Sequence, residues 1–366
     1  MDKKMFLAII LSIAVLIGFQ FFYTKTTPPV TKEDTKKEDI AKEPVKETKK
    51  APEKPLAPIP QTHIQSAEKE VTVENDFYKA VFTSRGGTIK SIEFKKHEDK
   101  KGAPIILKGD AVLAPLSIGV DEGFQASNVN FNITGSNIKM GAGADTARLV
   151  FEYSSGQYSI KRTYTFHQNE YGIDLKDEVR GFDSYLITPG KDFGIYDKED
   201  AEHFGPVILK DAERIEFTAK EVKEPKNFKE GIKWVAQEDK YFATIIVPKT
   251  RIENLKIWNK NGDALIALKM KGGENNYLVY AGPKEYYRLA KYDAGLEHIV
   301  DFGFFSILAR PLFWFLVLLY GVVHNYGVAI IILTIVTRVP FIPLINKGQK
   351  SMKKLADIQP RMAEIR

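Results

Sequence analysis

The sequence predicts a mixed membrane protein: an N-terminal transmembrane helix, a large all-β exported domain, an interfacial helix, a second transmembrane helix and the start of a cytoplasmic helical hairpin. Three observations predict it. Residues 5–23 are apolar and uncharged, a long stretch from Val71 onward alternates apolar and polar side chains, and a second apolar run, 326–345, is broken by one arginine and followed by lysines. The chain has 366 residues and no cysteine, which excludes disulfides, thiolate nucleophiles and Cys-type metal sites. Its net charge of +6 would suggest nucleic acid only if it lay on one folded face, and its distribution points to membrane topology instead.

Residues 1–4 form a short cytoplasmic N-terminus and 5–23 the first transmembrane helix. The run is about as long as a helix needs to cross the hydrocarbon core. It ends in Phe21, Phe22 and Tyr23 rather than in the small residues of a signal-peptide cleavage site. Lys3 and Lys4 place the N-terminus inside and residue 24 onward outside. Residues 24–70 are rich in Lys, Glu, Pro and Thr with almost nothing apolar to bury, and read as a disordered, solvated linker whose charges nearly cancel.

Residues 71–300 carry the alternation of a large antiparallel sandwich. One hairpin turns at Ser84, Arg85, Gly86 and Gly87, another lies within YSIKRTYTFHQNEYGIDLKDEV, and further short strands surround residues 234–236, 242–247, 252–258 and 264–268. Trp234, Tyr241 and Phe242 read as core, and the stretch after Pro283 as a short helical closing element. Tyr286, Tyr287 and Arg288 stand where they could orient the next helix.

Residues 301–324 form an interfacial helix: Arg310 and Pro311 interrupt the apolar run, the remainder is short for a crossing, and Trp314 and Tyr320 favour the interface. Residues 325–345 form the second crossing. If both stretches crossed, Lys347, Lys350, Lys353 and Lys354 would lie on the wrong side of the membrane. Residues 346–366, with Arg361 among their charges, form a basic amphipathic helix, either held on anionic lipid or half of a hairpin. Arg338 sits inside an apolar span, where it costs about 2.5–3.5 kcal/mol unless it faces a wet interior or snorkels to the headgroups. Thr334 is one turn away on the same face, and Pro340 and Pro343 free backbone carbonyls nearby.

The order of these segments, with GIKWVAQEDKYFATIIVP, YLVYAGPKEYYRLAKYDAGLEHIVDFGFF and NYGVAIIILTIVTRVPFIPLINKGQKSMKKLADIQPRMAEIR, resembles the bacterial Oxa-type membrane protein insertase family. That resemblance implies a β-supersandwich of the galactose-mutarotase-like type in the periplasm and a multi-pass protein of the bacterial inner membrane. It implies that Arg338, with Thr334, lines a hydrophilic groove giving an incoming chain a polar foothold, and that no nucleotide or other cofactor is used. Implied partners are nascent membrane proteins, the ribosome, the Sec translocon with its accessory subunits, and membrane lipid, with no specific nucleic acid. The family core has five crossings around the groove, so the chain is expected to be a truncated form lacking three of them.

Two other readings compete: a membrane-tethered carbohydrate-binding protein or enzyme, and a scaffolding tether. The six histidines are scattered with no metal-type pair, and Asp197, Glu199, Asp200, Glu202 and His203 read as a solvated acidic loop.

Overall fold

The computed structural model describes residues 67–99, 102–108, 113–141, 145–191, 204–343 and 345–352. The first transmembrane helix expected over 5–23 and residues 24–66 of the linker expected over 24–70 lie outside the described residues, as does the acidic loop around Asp197, while Glu70, the linker's expected last residue, opens the first strand.

The strands are β1 (Glu70–Glu74), β2 (Tyr78–Thr83), β3 (Thr88–Glu98), β4 (Pro104–Lys108), β5 (Ile118–Gly119), β6 (Asn132–Thr134), β7 (Ile138–Lys139), β8 (Thr146–Ser155) and β9 (Tyr158–His167). They continue as β10 (Gly172–Ile187), β11 (Gly205–Lys210), β12 (Glu213–Glu216), β13 (Lys226–Phe228), β14 (Ile232–Glu238), β15 (Phe242–Pro248), β16 (Ile252–Lys260) and β17 (Asp263–Pro283). The smaller sheet runs β4-β3-β2-β1-β7 and the larger β12-β11-β14-β15-β17-β10-β9-β8-β6, with β16 and β5 paired alongside. Every pairing is antiparallel except β1 with β7.

The long strands organise the sandwich. β17 pairs with β16 through its first half and β15 through its second, while β10 follows it along most of its length. The β10–β17 ladder shifts register between Val179 and Ser184, and there Gly272 is required: a Cβ would stand 1.9 Å from the Phe182 carbonyl oxygen.

The alternation in β9 sends Ile160, Arg162, Tyr164 and Phe166 inward, where the aromatic rings meet Phe82 of β2 in the other sheet and Phe151 of the neighbouring β8. Arg162 is fully buried. Its Nε donates to Asp177 Oδ1 at 2.9 Å and its Nη1 to the Leu116 carbonyl at 2.7 Å and the Gly87 carbonyl at 3.3 Å. Tyr164 Oη also donates to the Gly87 carbonyl, at 2.7 Å. One guanidinium thus ties β9 and β10 of the large sheet to the β2–β3 turn of the small one.

The sandwich closes with α1 (Tyr286–Leu289) and two short 3-10 turns ending at Ile299, over which Trp234 Nε1 donates to the Gly295 carbonyl at 3.0 Å. Then come α2 (Ser306–Val323) and α3 (Tyr326–Arg338).

The expected break at Arg310 and Pro311 is absent, and α2 runs through Pro311 without interruption. The physical reason is local: the ring fixes φ at a helical value, and its missing N–H forfeits one bond, to the Ile307 carbonyl in the helix's opening turns. At 18 residues, about 27 Å, α2 is long and apolar enough to cross a membrane. Shortness therefore no longer argues for a surface location, and the charge topology remains as the argument for one.

Candidate functional site

α3 begins at Asn325, whose side-chain oxygen accepts from the Val328 N–H at 3.2 Å and caps the helix. His324, at φ 51°, makes the turn between the two helices, and Tyr320 stacks on Tyr326 across it at 3.9 Å. After Arg338 the α-helix gives way to a 3-10 turn, Val339–Phe341, at Pro340, and the pieces Tyr326–Phe341 and Ile345–Met352 are bent by 52°. The segment expected to cross, 325–345, is bent near its end, where Pro340 and Pro343 each remove a backbone donor as the sequence implies.

Thr334 and Arg338 lie one turn apart on α3, and both are exposed. Thr334 satisfies itself, its hydroxyl donating to the Ile330 carbonyl at 2.8 Å. Among the described residues Arg338 forms no ion pair. Around this pair the helix shows mostly bare apolar side chains, Ile330, Ile331, Ile335, Val336, Val339 and Phe341. With no ion pair among the described residues and exposed isoleucines beside it, Arg338 offers a polar contact on an otherwise apolar face.

α2 has a seat on the sandwich. Phe313 packs against Tyr286, Tyr287 and Phe302 with ring centres 5.6–6.0 Å apart, and the Arg310 guanidinium lies over Phe302 at 5.7 Å. The structure thus brings Tyr286 and Tyr287 to this helix. Arg288 turns the other way, over Phe77 at 4.6 Å and Tyr171 at 5.3 Å. Trp314 and Pro311 face outward with Ile307, Leu308, Leu318 and Val322, and Ile307 is 89% exposed. Lys347 and Lys350 are exposed on the helical segment after the bend. Lys353, Lys354 and Arg361 lie outside the described residues.

Of the three aromatics expected in the core, Trp234 and Phe242 are buried, whereas Tyr241 is 59% exposed. Asp239 explains the difference: its Oδ1 accepts from both the Tyr241 and Phe242 N–H groups, forming a tight turn that throws Tyr241 outward. His97 meets Glu285 at 3.2 Å and His167 meets Asp174 at 2.9 Å, and neither pair gains a third ligand. Among the described residues no group of His, Asp and Glu is placed to hold a metal ion.

Two polar clusters are absent from the sequence-based expectations. One is the Arg162–Asp177 pair, whose signal is present: both residues occupy inward positions of otherwise regular alternation. The other surrounds Glu238. Arg214 Nη2 donates to Glu238 Oε1 at 2.5 Å, Lys284 Nζ to Oε2 at 3.3 Å, and Arg214 also pairs with Glu216. Burial pushes the Glu238 carboxyl up to about 7 against the pull of Lys284 and Arg214. No sequence signal joins residues from β12, β14 and the end of β17.

A large antiparallel sandwich followed by a helix long and apolar enough to cross a membrane is the class of protein that the structure describes. The family described as the YidC periplasmic domain matches residues 70–315, and that described as the 60Kd inner membrane protein matches residues 318–366. The membrane protein insertase YidC of Syntrophus aciditrophicus is 33% identical over 415 residues, covering 100% of this chain and 74% of its own. That of Geotalea daltonii is 32% identical over 396 residues, covering 100% and 73%. The chain belongs to the YidC family of membrane protein insertases. A galactose mutarotase related enzyme from Lactobacillus acidophilus aligns over 58% of this chain and 97% of its own, at 11% identity and a TM-score of 0.38.

Proposed function

We propose that the chain helps nascent membrane proteins enter the inner membrane, with Arg338 and Thr334 as the polar foothold for the client. The observation that carries this is the exposure of Arg338, without an ion pair among the described residues, on the same α3 face as Thr334. A charge so placed lowers the cost of bringing a client's polar outer segment into an apolar region. The client's own apolar helix then supplies the driving force by partitioning into lipid, so no acid, base, metal or nucleotide enters the scheme.

In this reading the protein is multi-pass with a cytoplasmic N-terminus, and α2 lies along the outer membrane surface, steadied by the aromatic seat on α1. The bent α3 segment crosses. Lys347, Lys350, Lys353, Lys354 and Arg361 face the cytoplasm, where basic side chains suit ribosome-borne clients and anionic lipid. The sandwich stands in the periplasm, available to the Sec translocon and its accessory subunits.

The test is photo-crosslinking from position 334 in the full chain to ribosome-bound clients of increasing length. Adducts are expected at intermediate lengths, fading as the client helix grows. Arg338→Ala should reduce their yield severalfold, and Arg338→Lys should preserve most of it. Lipid adducts alone at every client length would show that Arg338 only reaches for headgroups.

A further inference from the structure

The turn that throws Tyr241 out of the core also places it beside the start of α2. Asp239 Oδ1 gathers the Tyr241 and Phe242 N–H groups, and the Lys284 N–H donates to the Tyr241 carbonyl at 2.7 Å, so the β14–β15 turn is held from both sides. Lys240 Nζ lies over the Tyr241 ring at 5.2 Å. Tyr241 and Gly303 line one cleft of about 400 Å³, at the end of the sandwich from which α2 leaves.

The residues that open α2 locate this end with respect to the bilayer. Phe302 turns into the aromatic seat with Tyr286 and Phe313, whereas Phe305 is 69% exposed and Ile307 and Leu308 are also mostly bare. Water penalises such a patch and lipid accepts it. Whether α2 lies along the surface or crosses, its first turn meets the membrane on the side where the sandwich stands. The interfacial layer there is roughly 5–8 Å deep. A rounded cleft of 400 Å³ is about 7 Å across, the cube root of its volume, so Tyr241 and Gly303 are separated by no more than the depth of that layer.

We propose that the Lys240–Tyr241 turn rests on the membrane interface as a second foot of the sandwich, with the lipid headgroup layer as its partner. The proposal rests on the reading that the helical pair is embedded in lipid. A lone exposed aromatic on a water-facing surface needs no explanation, but this one stands next to a lipid-seeking patch. Its ring is apolar and its hydroxyl polar, the combination favoured where hydrocarbon meets water. A single contact at α2 leaves the sandwich free to tilt about it. A second contact at Tyr241 fixes a line of support, and with it the height of the sandwich above α3.

The experiment uses the absence of native cysteine: single cysteines introduced at 241, 307 and 157 each carry one nitroxide label on the full chain. The chain is held in vesicles of phosphatidylethanolamine and phosphatidylglycerol. Collisions are read with oxygen, which concentrates in lipid, and with a water-soluble nickel chelate. Gln157 is the aqueous reference, exposed in the β8–β9 turn and about 25 Å along the strands from Gly172 and its partner Tyr280. Position 307 is expected to be rich in oxygen collisions. Position 241 is expected to show about twofold fewer nickel collisions than 157 and more oxygen collisions, as for a site half in lipid. Equality of 241 with 157 overturns the proposal, and loss of both kinds of collision at 241 overturns it in favour of a protein contact. A position 307 as wet as 157 removes the membrane reading itself and the proposal with it. Tyr241→Trp in a Trp314→Phe background keeps an aromatic ring at the turn. Lipid brominated in its upper chain should quench this variant more than Trp314→Phe alone, and equal quenching overturns the proposal.

Discussion

The sandwich and the α2–α3 pair are both rich in apolar residues, but they treat them oppositely. In the sandwich Phe82, Phe94, Phe151, Phe166 and Trp234 are withdrawn from solvent, and its fully buried arginine has a matched carboxylate and two carbonyls. In the helical pair Ile307, Leu308, Trp314, Ile331 and Ile335 are exposed, and Arg338 has no ion pair among the described residues. The same chemistry is inverted because the intended solvent differs: water surrounds the first region, and lipid is expected around the second. Arg162 is thus structural, its charge answered inside the fold, whereas Arg338 is a functional candidate with no ion pair among the described residues.

Mutating both arginines gives the sharpest break of that comparison. Arg162→Met leaves Asp177 buried and unpaired, and should cost about 3–5 kcal/mol in urea unfolding followed by tryptophan fluorescence. Arg338→Ala removes no partnered charge and should leave the same unfolding curve unchanged, while reducing client crosslinks. If Arg162→Met unfolded at the wild-type midpoint, the inter-sheet tie would have no energetic role.

Glu238 sharpens the comparison from within the sandwich, since it is a buried charge only partly answered. Its carboxyl holds a proton more tightly folded, at about 7, than at the ordinary 4.5, with desolvation as the main cause and Lys284 and Arg214 opposing it. A raised carboxyl favours the folded state fully below about pH 4.5, and that contribution is lost as pH rises through 7. The stability of wild type relative to Glu238→Gln should therefore fall by about 3 kcal/mol between about pH 4 and pH 8. A difference that stays flat, or one that grows with pH, would show that the two cations outweigh burial.

How much is legible in the sequence depends on the range of the interactions involved. Period-two alternation is local, so the hairpins around Gly86 and through β9–β10 can be read directly, and so can the i, i+4 relation of Thr334 and Arg338. Tyr241 departs from its expected core position because its direction depends on Asp239 gathering two N–H groups, a turn that breaks the alternation. The break expected at Pro311 does not form because a proline removes only one bond near a helix start. The Glu238 cluster is invisible in the sequence because its charges come from positions 214, 238 and 284, joined by strand order alone.

The smallest effect concerns the turn that lets α2 and α3 take different directions. His324 lies in the left-handed region and Asn325 caps α3, so two adjacent residues end one helix and start the next. Asn325→Ala removes one cap and should cost about 1 kcal/mol locally, visible as faster amide exchange at Gly327 and Val328 with no change in sandwich melting. His324→Gly relieves the positive φ and should leave exchange in α3 as it is or slow it slightly. If Asn325→Ala instead lowered the melting of the whole sandwich, the helical pair and the sandwich would be one cooperative unit, and the contrast between them would be one of surface composition rather than of independent stability.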